Sequence, residues 1–314
     1  MKIGLLNEDG KFFNLALARL SAYWNAQPGC TAEEYDPFEH YDRVYCSKIF
    51  TFTPSYQYFI NADEVVKGGT GYRMYDTLPE DIENTPPDLY LFGILNKNQS
   101  VGFLTRGCPN KCGFCVVPLK EGKIKPYNTI EQVAQGRKQV TLFDNNILAA
   151  GDYAHEQLAR IANMGVYVDF NQGLDARLMT EQFADELIKC KWKSMKGDKI
   201  IRFACDHESQ IPFCDNAIKM LRDRGYKGLI LIYTIIDNDF YGSFKRTQHF
   251  KDKKDNMINV QSQPYLDPNK TIHSIPQWQK DMAHWTNKKQ LFHSCEFRDF
   301  EPRIGFKCYK YFEN

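Results

Sequence analysis

Three closely spaced cysteines constrain this sequence more than any other feature. Cys108, Cys112 and Cys115 lie at C-x3-C-x2-C spacing among Gly and Pro residues, directly after the apolar alternating run 100–104. So tight a loop can turn three thiolates toward one point, and thiolates select iron–sulfur clusters or zinc. A closed zinc site or a fully ligated cluster uses four protein ligands, but the next cysteine, Cys190, is far along the chain. We therefore expect a 4Fe–4S cluster with one iron open to another ligand.

Predicted strands and helices alternate on both sides of residue 150. Apolar runs predict six strands: Val101–Thr105, Val140–Phe143, Val166–Phe170, Lys199–Ala204, Leu229–Ile235 and Met257–Val260. Apolar residues at helical spacing predict the intervening helices Thr129–Lys138, Asp152–Asn163, Thr180–Lys191 and Pro212–Arg224. Strands that alternate with helices of this length indicate parallel βαβ units, so the fold class is α/β.

The stretch Thr105–Pro118 resembles the signature of the radical SAM superfamily, including the aromatic Phe114 between the second and third cysteines. The resemblance implies a partial (β/α)6 barrel in residues 99–262 and a 4Fe–4S cluster on the three cysteines. It further implies S-adenosylmethionine (SAM) on the open iron. An external one-electron donor, flavodoxin- or ferredoxin-like, would then drive cleavage to a 5′-deoxyadenosyl radical that abstracts a substrate hydrogen.

Residues 1–98 and 263–314 flank the predicted barrel. The first segment predicts strands at Lys2–Leu6, Arg43–Ser47 and Glu64–Lys67 and a helix at Phe12–Trp24, which indicates a smaller α/β domain. It is similar to the N-terminal B12-binding domains of some radical SAM proteins. The D-x-H-x-x-G pattern of the cobalamin loop is absent, so we expect a B12-like domain without cobalamin. Residues 263–314 form a C-terminal extension.

Polar residues follow each predicted strand, where parallel α/β barrels gather their functional groups. After the second strand, Asp144 and Asn145 lie where the family holds the SAM amino group, although Asp and Asn also favour caps and turns. Within the fourth strand, alternation places Arg202 and Asp206 on one face. If that face is interior, Arg202 suits the SAM carboxylate, because a guanidinium binds carboxylates with two hydrogen bonds.

The segment after the third strand resembles the F-x-Q-G-L-D-A-R pattern of radical SAM proteins with B12-like domains. Asn171, Gln172 and Asp175 are polar groups suited to the hydroxyls of a ribose, whereas Asp175 and Arg177 also suit a structural ion pair. Cys205, at the end of the fourth strand, is a weak candidate for a hydrogen-atom donor or an auxiliary cluster ligand. Its alternative is a buried cysteine that packs as a small hydrophobe.

Composition limits the remaining choices. Ten cysteines in 314 residues are too few for a disulfide scaffold, and no apolar run approaches the roughly 20 residues of a membrane span. Thiols that hold a cluster need a reducing compartment, so we expect a cytoplasmic protein. A non-catalytic iron–sulfur or zinc binding module, with a remote Cys or His as fourth ligand, is the alternative function.

Charge is distributed unevenly along the chain. Residues 1–100 contain 8 Lys/Arg and 14 Asp/Glu, and residues 245–314 contain 13 and 8. The C-terminal segment is also aromatic, and bases stack on aromatic rings while phosphates bind Lys and Arg. A nucleotide or nucleic-acid substrate therefore fits this segment, and a peptide or small metabolite fits as well.

Overall fold

The N-terminal layer is a small parallel sheet with one long helix. The computed structural model describes residues 1–266 and 274–313. The layer consists of β1 Lys2–Asn7, α1 Leu15–Asn25, β2 Thr31–Glu34, β3 Tyr41–Ser47 and β4 Ala62–Gly68. Its four strands are parallel in the order β2-β1-β3-β4. Asn14 caps α1 by accepting a hydrogen bond from the N–H of Leu17, and Leu17 and Leu20 pack on Ile3 and Leu5 of β1.

A short segment joins this layer to the rest of the chain. It contains α2 Glu80–Glu83 and one 3-10 turn at Leu91–Gly93. Glu83 forms an ion pair of 2.6 Å with the buried Arg19 of α1 and accepts a hydrogen bond from the Tyr127 hydroxyl at 3.0 Å. Because these three residues come from three segments, they hold the N-terminal layer against the second part of the chain.

The second part alternates strands and helices as the sequence predicts. Its strands are β5 Gln99–Gly102, β6 Thr105–Arg106, β7 Lys125–Pro126, β8 Gln139–Leu142, β9 Tyr167–Phe170, β10 Lys191–Trp192, β11 Ile200–Ala204, β12 Leu229–Ile236 and β13 Ile258–Pro264. Its helices are α3 Val117–Lys120, α4 Ile130–Ala134, α5 Asp152–Met164, α6 Glu181–Lys189, α7 Ile211–Asp223, α8 Phe240–Asp252, α9 Gln277–Asn287 and α10 Lys289–Ser294.

Two parallel sheets carry this part of the chain. One has the order β10-β9-β8-β5 and the other β11-β12-β13, while β6 and β7 form a separate antiparallel pair. The two parallel sheets meet where Leu174 pairs with Phe203 of β11. The N–H of Leu174 donates to the Arg202 carbonyl at 2.8 Å, and the N–H of Ala204 donates to the Leu174 carbonyl at 3.2 Å. The C-terminal ends of β5, β8, β9, β11 and β12 therefore follow one another along a common edge.

The apolar faces of the helices cover these sheets. Leu158 and Ile161 of α5 lie three residues apart, as do Ala184 and Leu187 of α6, and all four are fully buried. The strands beneath them supply branched and aromatic side chains to the same core. The apolar faces of the strands and helices are thus buried in one core in this part of the chain. Because each face has the apolar spacing of its element, the sequence pattern predicted the order of these elements.

Several details differ from the sequence predictions. The helix predicted at Thr129–Lys138 ends at Ala134, because Gln135 adopts a left-handed conformation with φ of 46° and Gly136 follows at 76°. Helix α9 buries Met282 and Trp285, as its aromatic stripe indicated. Of the predicted extension 263–314, residues 267–273 and 314 lie outside the described residues. No helix in the described ranges is long and apolar enough to cross a bilayer.

Candidate functional site around the cysteine loop

The cysteine loop is closed by backbone pairing. The loop runs between β6 and β7, where Thr105 pairs with Pro126 and Arg106 with Lys125. The N–H of Cys108 donates to the Gly122 carbonyl at 3.1 Å. Gly107 has a φ of +84°, and a Cβ at this position would clash with the backbone of Gly122 and Lys123. Only glycine fits so close an approach at positive φ, so Gly107 sets the path of the chain into the first cysteine.

The three cysteines are half-buried and influence one another electrostatically. Burial raises the pKa of the Cys112 thiol, and the neighbouring Cys115 and Cys108 raise it further. Burial also raises the pKa of Cys115, with Cys108 acting in the same direction. Three thiolates in this setting repel one another unless a cation joins them. The donor set therefore suits a positively charged iron–sulfur core.

A 4Fe–4S cluster and a single metal ion make different demands on such a loop. Among the described residues, no three His, Cys, Asp or Glu side chains are arranged to hold one metal ion. A single zinc ion needs its ligands to converge on one atom, whereas each cysteine of a cluster binds a different iron. The number and softness of three half-buried thiols on one closed loop suit a cluster with one open iron.

Asp144 has contacts that differ from those predicted for it. Its side chain is 2% exposed and accepts hydrogen bonds from the N–H groups of Leu104 and Thr105, at 3.1 and 2.6 Å, and from the Thr105 hydroxyl at 2.6 Å. Burial raises its pKa to about 6 although these hydrogen bonds favour the ionised form. The carboxylate is thus engaged by the chain that enters the cysteine loop. Asp144 therefore holds that loop, and its contact with the SAM amino group stays a prediction.

Asn145 is also tied to the loop. Its Nδ2 donates to Glu121 Oε2 at 3.0 Å, and the same oxygen accepts from the N–H of Gly107 at 2.9 Å. Arg106 forms an ion pair of 3.3 Å with the other Glu121 oxygen, and its guanidinium lies 4.1 Å from the ring centre of Phe103. Glu121 and Arg106 were not identified from the sequence, because nothing in their spacing distinguishes them from solvated surface charges.

Asn146 approaches the first cysteine directly. Its Nδ2 lies 3.8 Å from the Cys108 sulfur and 3.1 Å from Asp175 Oδ2. Its side-chain oxygen is buried and accepts no hydrogen bond from the described residues. A buried acceptor without a donor costs free energy unless a ligand supplies one. The sequence prediction stopped at Asn145, one residue before the amide with this unused acceptor.

Asp175 joins three segments at the strand ends. It accepts from Asn110 of the cysteine loop at 3.0 Å, from Asn146 and, through both oxygens, from Arg177 at 2.8 and 2.7 Å. Arg177 lowers the pKa of Asp175 against the effect of burial. Cys112 and Cys108 in turn raise the pKa of Arg177, after the larger effect of Asp175. The Asp175–Arg177 pair is therefore an ion pair that also faces the thiols.

The other two predicted residues of this segment lie beside the pair. Asn171 is half-buried directly after β9, and its N–H donates to the Leu142 carbonyl at 2.9 Å. Gln172 is exposed. Both therefore lie at the strand ends near Asp175, as predicted, and their contact with a ribose stays a prediction.

Arg202 forms a buried ion pair with Asp169 of β9. Asp169 is 2% and Arg202 8% exposed. Burial raises the pKa of Asp169, although the Arg202 charge opposes this shift. The pair joins β9 and β11, and nothing in the sequence indicated Asp169 as the partner of Arg202. The contact of Arg202 with the SAM carboxylate stays a prediction.

Asp206 and Cys205 occupy the end of β11. Asp206 accepts from the N–H of Ile235 at 2.9 Å, and burial raises its pKa. Its charge in turn raises the pKa values of Cys112 and Cys115, so it lies on the cysteine side of the edge. Cys205 is fully buried. A hydrogen bond with Cys205 raises the pKa of Cys214 in α7, with burial adding to the effect.

The fold has a solved relative. No family model matches the sequence, and no curated protein matches it. The structure is similar to that of a radical S-adenosylmethionine methyltransferase, TsrM, from Kitasatospora setae, with cobalamin and a 4Fe–4S cluster bound. The TM-score is 0.59 at 12% sequence identity, over 84% of this chain and 74% of the other. The similarity establishes a shared mixed α/β fold with parallel sheets.

Proposed function

We propose that this protein is a radical SAM enzyme built on a partial (β/α)6 barrel. The observation that carries the proposal is the position of the cysteine loop. It follows the first strand of a parallel sheet, is tethered by Asp144 at the end of the second, and contacts Asp175 at the end of the third. When bound, a 4Fe–4S cluster and SAM supply a 5′-deoxyadenosyl radical that abstracts hydrogen from a substrate.

In this proposal different side chains bind the cluster and SAM. Cys108, Cys112 and Cys115 each bind one iron. The unused Asn146 oxygen beside Cys108 accepts from the SAM amino group. Arg177, whose side chain is 36% exposed against 9% for Arg202, is electrostatically coupled to Cys108 and Cys112 and binds the SAM carboxylate. Asp175 holds both side chains through hydrogen bonds and so positions them without contacting iron.

Cobalamin does not fit the N-terminal layer. In open parallel sheets ligands bind where the strand order reverses, here at the C-terminal ends of β1 and β3. In this chain Asp9 fills that position, accepting from the Ile49 N–H and from the Thr53 hydroxyl at 2.6 Å. The N–H of Glu8 donates to the Ser47 carbonyl at 3.0 Å. The Asp9 carboxylate and the Glu8 N–H are thus engaged by the chain itself, so we propose chemistry without cobalamin.

The test is reductive cleavage of SAM. The protein is reconstituted anaerobically with iron and sulfide, reduced with dithionite and supplied with SAM, and 5′-deoxyadenosine is measured. We expect product with the unaltered chain, loss of product with Cys112→Ala, and product retained with Cys30→Ser, a half-buried cysteine in the N-terminal layer. A protein that binds one zinc and no iron, or product formation independent of Cys112, would overturn the proposal in favour of a non-catalytic module or a contaminant.

A further inference from the structure

The surface around the cysteine loop includes strand ends of the N-terminal layer, but its charge is opposite to that of residues 1–100 as a whole. Residues 1–100 have a net charge of −6. The segments at the ends of β1, β3 and β4 and the cysteine hairpin (8–12, 48–60, 67–77 and 105–127) contain nine Lys/Arg and four Asp/Glu. We call these four segments the basic face. A net charge of +5 on four segments that pack together is a local attraction for anions.

The acidic residues of the basic face are all engaged within the protein. Glu8 accepts from the Tyr72 hydroxyl, Asp9 accepts from Thr53, Asp76 pairs with Arg73 at 2.6 Å, and Glu121 pairs with Arg106. By contrast, five lysines of the face are exposed to solvent: Lys11, Lys67, Lys111, Lys123 and Lys125. Because the carboxylates are engaged while these ammonium groups are in solvent, the positive charge is the part available to a partner.

An aromatic cluster lies on the same face. The rings of Phe50 and Phe52 stack with centres 5.1 Å apart and planes at 15°, and Phe12 meets Phe50 edge-on at 5.1 Å. Phe12 is 50% and Phe52 64% exposed. Two stacked phenylalanines with one ring open to solvent form a ready platform for a further flat ring.

Direct contacts join the aromatic cluster to the cysteine loop. The N–H of Gly71 donates to the Lys48 carbonyl at 3.0 Å, and a Cβ at Gly71 would lie 2.6 Å from the Phe50 carbonyl oxygen. The neighbouring Thr70 accepts a hydrogen bond of 2.7 Å from Lys120 Nζ. Lys120 ends α3, which begins two residues after Cys115. Direct contacts between packed loops thus connect Phe50 to the helix that follows Cys115.

We propose that the basic face binds single-stranded nucleic acid and presents it to the cysteine loop. Stacking rings with flanking lysines are the combination that holds unpaired bases and the phosphate backbone. This inference rests on the proposed function, since it names the substrate of the same site. The basic, aromatic C-terminal segment, where the sequence suggested such a contact, instead buries Trp285, Phe292 and Phe297 in the core.

The experiment measures binding of a fluorescein-labelled single-stranded RNA of mixed sequence to the full chain by anisotropy, over a series of salt concentrations. We expect Phe52→Ala to weaken binding about 10-fold, the typical loss of one stacked base. The matched control is Phe59→Ala, which removes a ring 83% exposed from the same connection but outside the cluster. We expect Lys123→Glu/Lys125→Glu to weaken binding and to lower the salt slope by roughly one unit.

The charge control uses exposed lysines at the opposite edge of the sheets. Lys196 and Lys227 precede β11 and β12, so Lys196→Glu/Lys227→Glu leaves binding unchanged if the basic face is the site. Equal losses in both charge variants, or equal affinities of Phe52→Ala and Phe59→Ala, would overturn the proposal. Binding of poly-glutamate in preference to RNA would overturn it in favour of an acidic protein partner.

The assay separates this inference from the proposed function, because RNA binding requires neither reduction nor SAM. RNA binding that depends on Phe52, in a protein that forms no 5′-deoxyadenosine, would reject the proposed enzymatic function and support the nucleic-acid-binding surface. Deoxyadenosine formation without RNA binding would reject the nucleic-acid-binding surface and support the proposed enzymatic function.

Discussion

The Asp144 carboxylate accepts hydrogen bonds from both the N–H and the hydroxyl of Thr105, each at 2.6 Å. Asp144 follows β8, and Thr105 begins the hairpin that carries the cysteines. The contact therefore links the ends of two neighbouring strands and sets where the cysteine loop leaves the sheet. It is buried, so its energetics depend on the protonation state of one carboxyl group.

We expect Asp144 to make stability depend on pH. Burial raises its pKa from 3.8 to about 6, so between these values the native state binds more protons than the unfolded state. Stability therefore falls as pH rises through this range, by up to about 3 kcal/mol for a shift of this size. Asp144→Asn keeps an acceptor for Thr105 and removes the titration. Urea unfolding at several pH values should show a flatter profile for this variant.

The matched control for this experiment is Asp198→Asn, which alters an exposed carboxyl group. Its profile should follow that of the unaltered protein. Identical pH profiles for Asp144→Asn and the unaltered protein would show that Asp144 does not titrate in this range.

The Asp169–Arg202 pair yields a prediction for stability. Arg202→Ala leaves the Asp169 carboxylate buried without its partner, which costs about 3–5 kcal/mol. The double variant Asp169→Leu/Arg202→Met removes both charges and should be markedly more stable than the single variant. With Asp169→Leu and Arg202→Met added as single variants, urea unfolding of the cycle gives the coupling energy. A double variant that folds but loses SAM affinity, measured by calorimetry on reconstituted protein, would identify Arg202 as a SAM ligand.

Gly107 and Gly113 form a matched pair for testing the loop. Gly107→Ala places a Cβ against the Gly122 and Lys123 carbonyl groups, whereas nothing lies within 4 Å of a Cβ at Gly113. We expect Gly107→Ala to lose most of its iron after reconstitution because the first cysteine is displaced. Gly113→Ala should load iron normally. Equal iron content per chain in the two variants would show that the approach at Gly107 does not determine cluster binding.

Arg177 is expected to affect SAM binding without affecting iron. Removing a charge-assisted hydrogen bond costs about 1.5–3 kcal/mol, so Arg177→Ala should raise the Kd of SAM at least about 10-fold. Iron content should stay unchanged because the cysteines keep their loop. Arg160→Ala, an exposed position on α5, is the control. Unchanged SAM affinity in Arg177→Ala would exclude the proposed contact.

The order of strands and helices was predictable because each element buries a periodic apolar face. The strand Thr31–Glu34 was missed since only Ala32 of its four residues is buried, which leaves no alternation to detect. At the site, the cysteine loop was evident from spacing alone. Side-chain partners were harder to predict: Asp169 and Arg202 are 33 residues apart in sequence, and their pairing depends on the registers of two different sheets.

The same limit applies to the residues after the second strand. Asp144, Asn145 and Asn146 are consecutive and chemically alike, and the sequence placed all of them correctly at the strand end. Local backbone angles decide which of the three side chains binds the backbone, which binds Glu121 and which keeps a free acceptor. Asn146, for example, has a ψ of 70°, a value that no composition rule supplies.

The closed hairpin around the cysteines has a consequence for maturation. Its ends are paired, its entry is fixed by Gly107, and Asp144 and Asp175 tether it to two strand ends. All of these contacts are made between groups of the protein itself. On the proposed function, insertion of the cluster would therefore be a step separate from the folding of the loop.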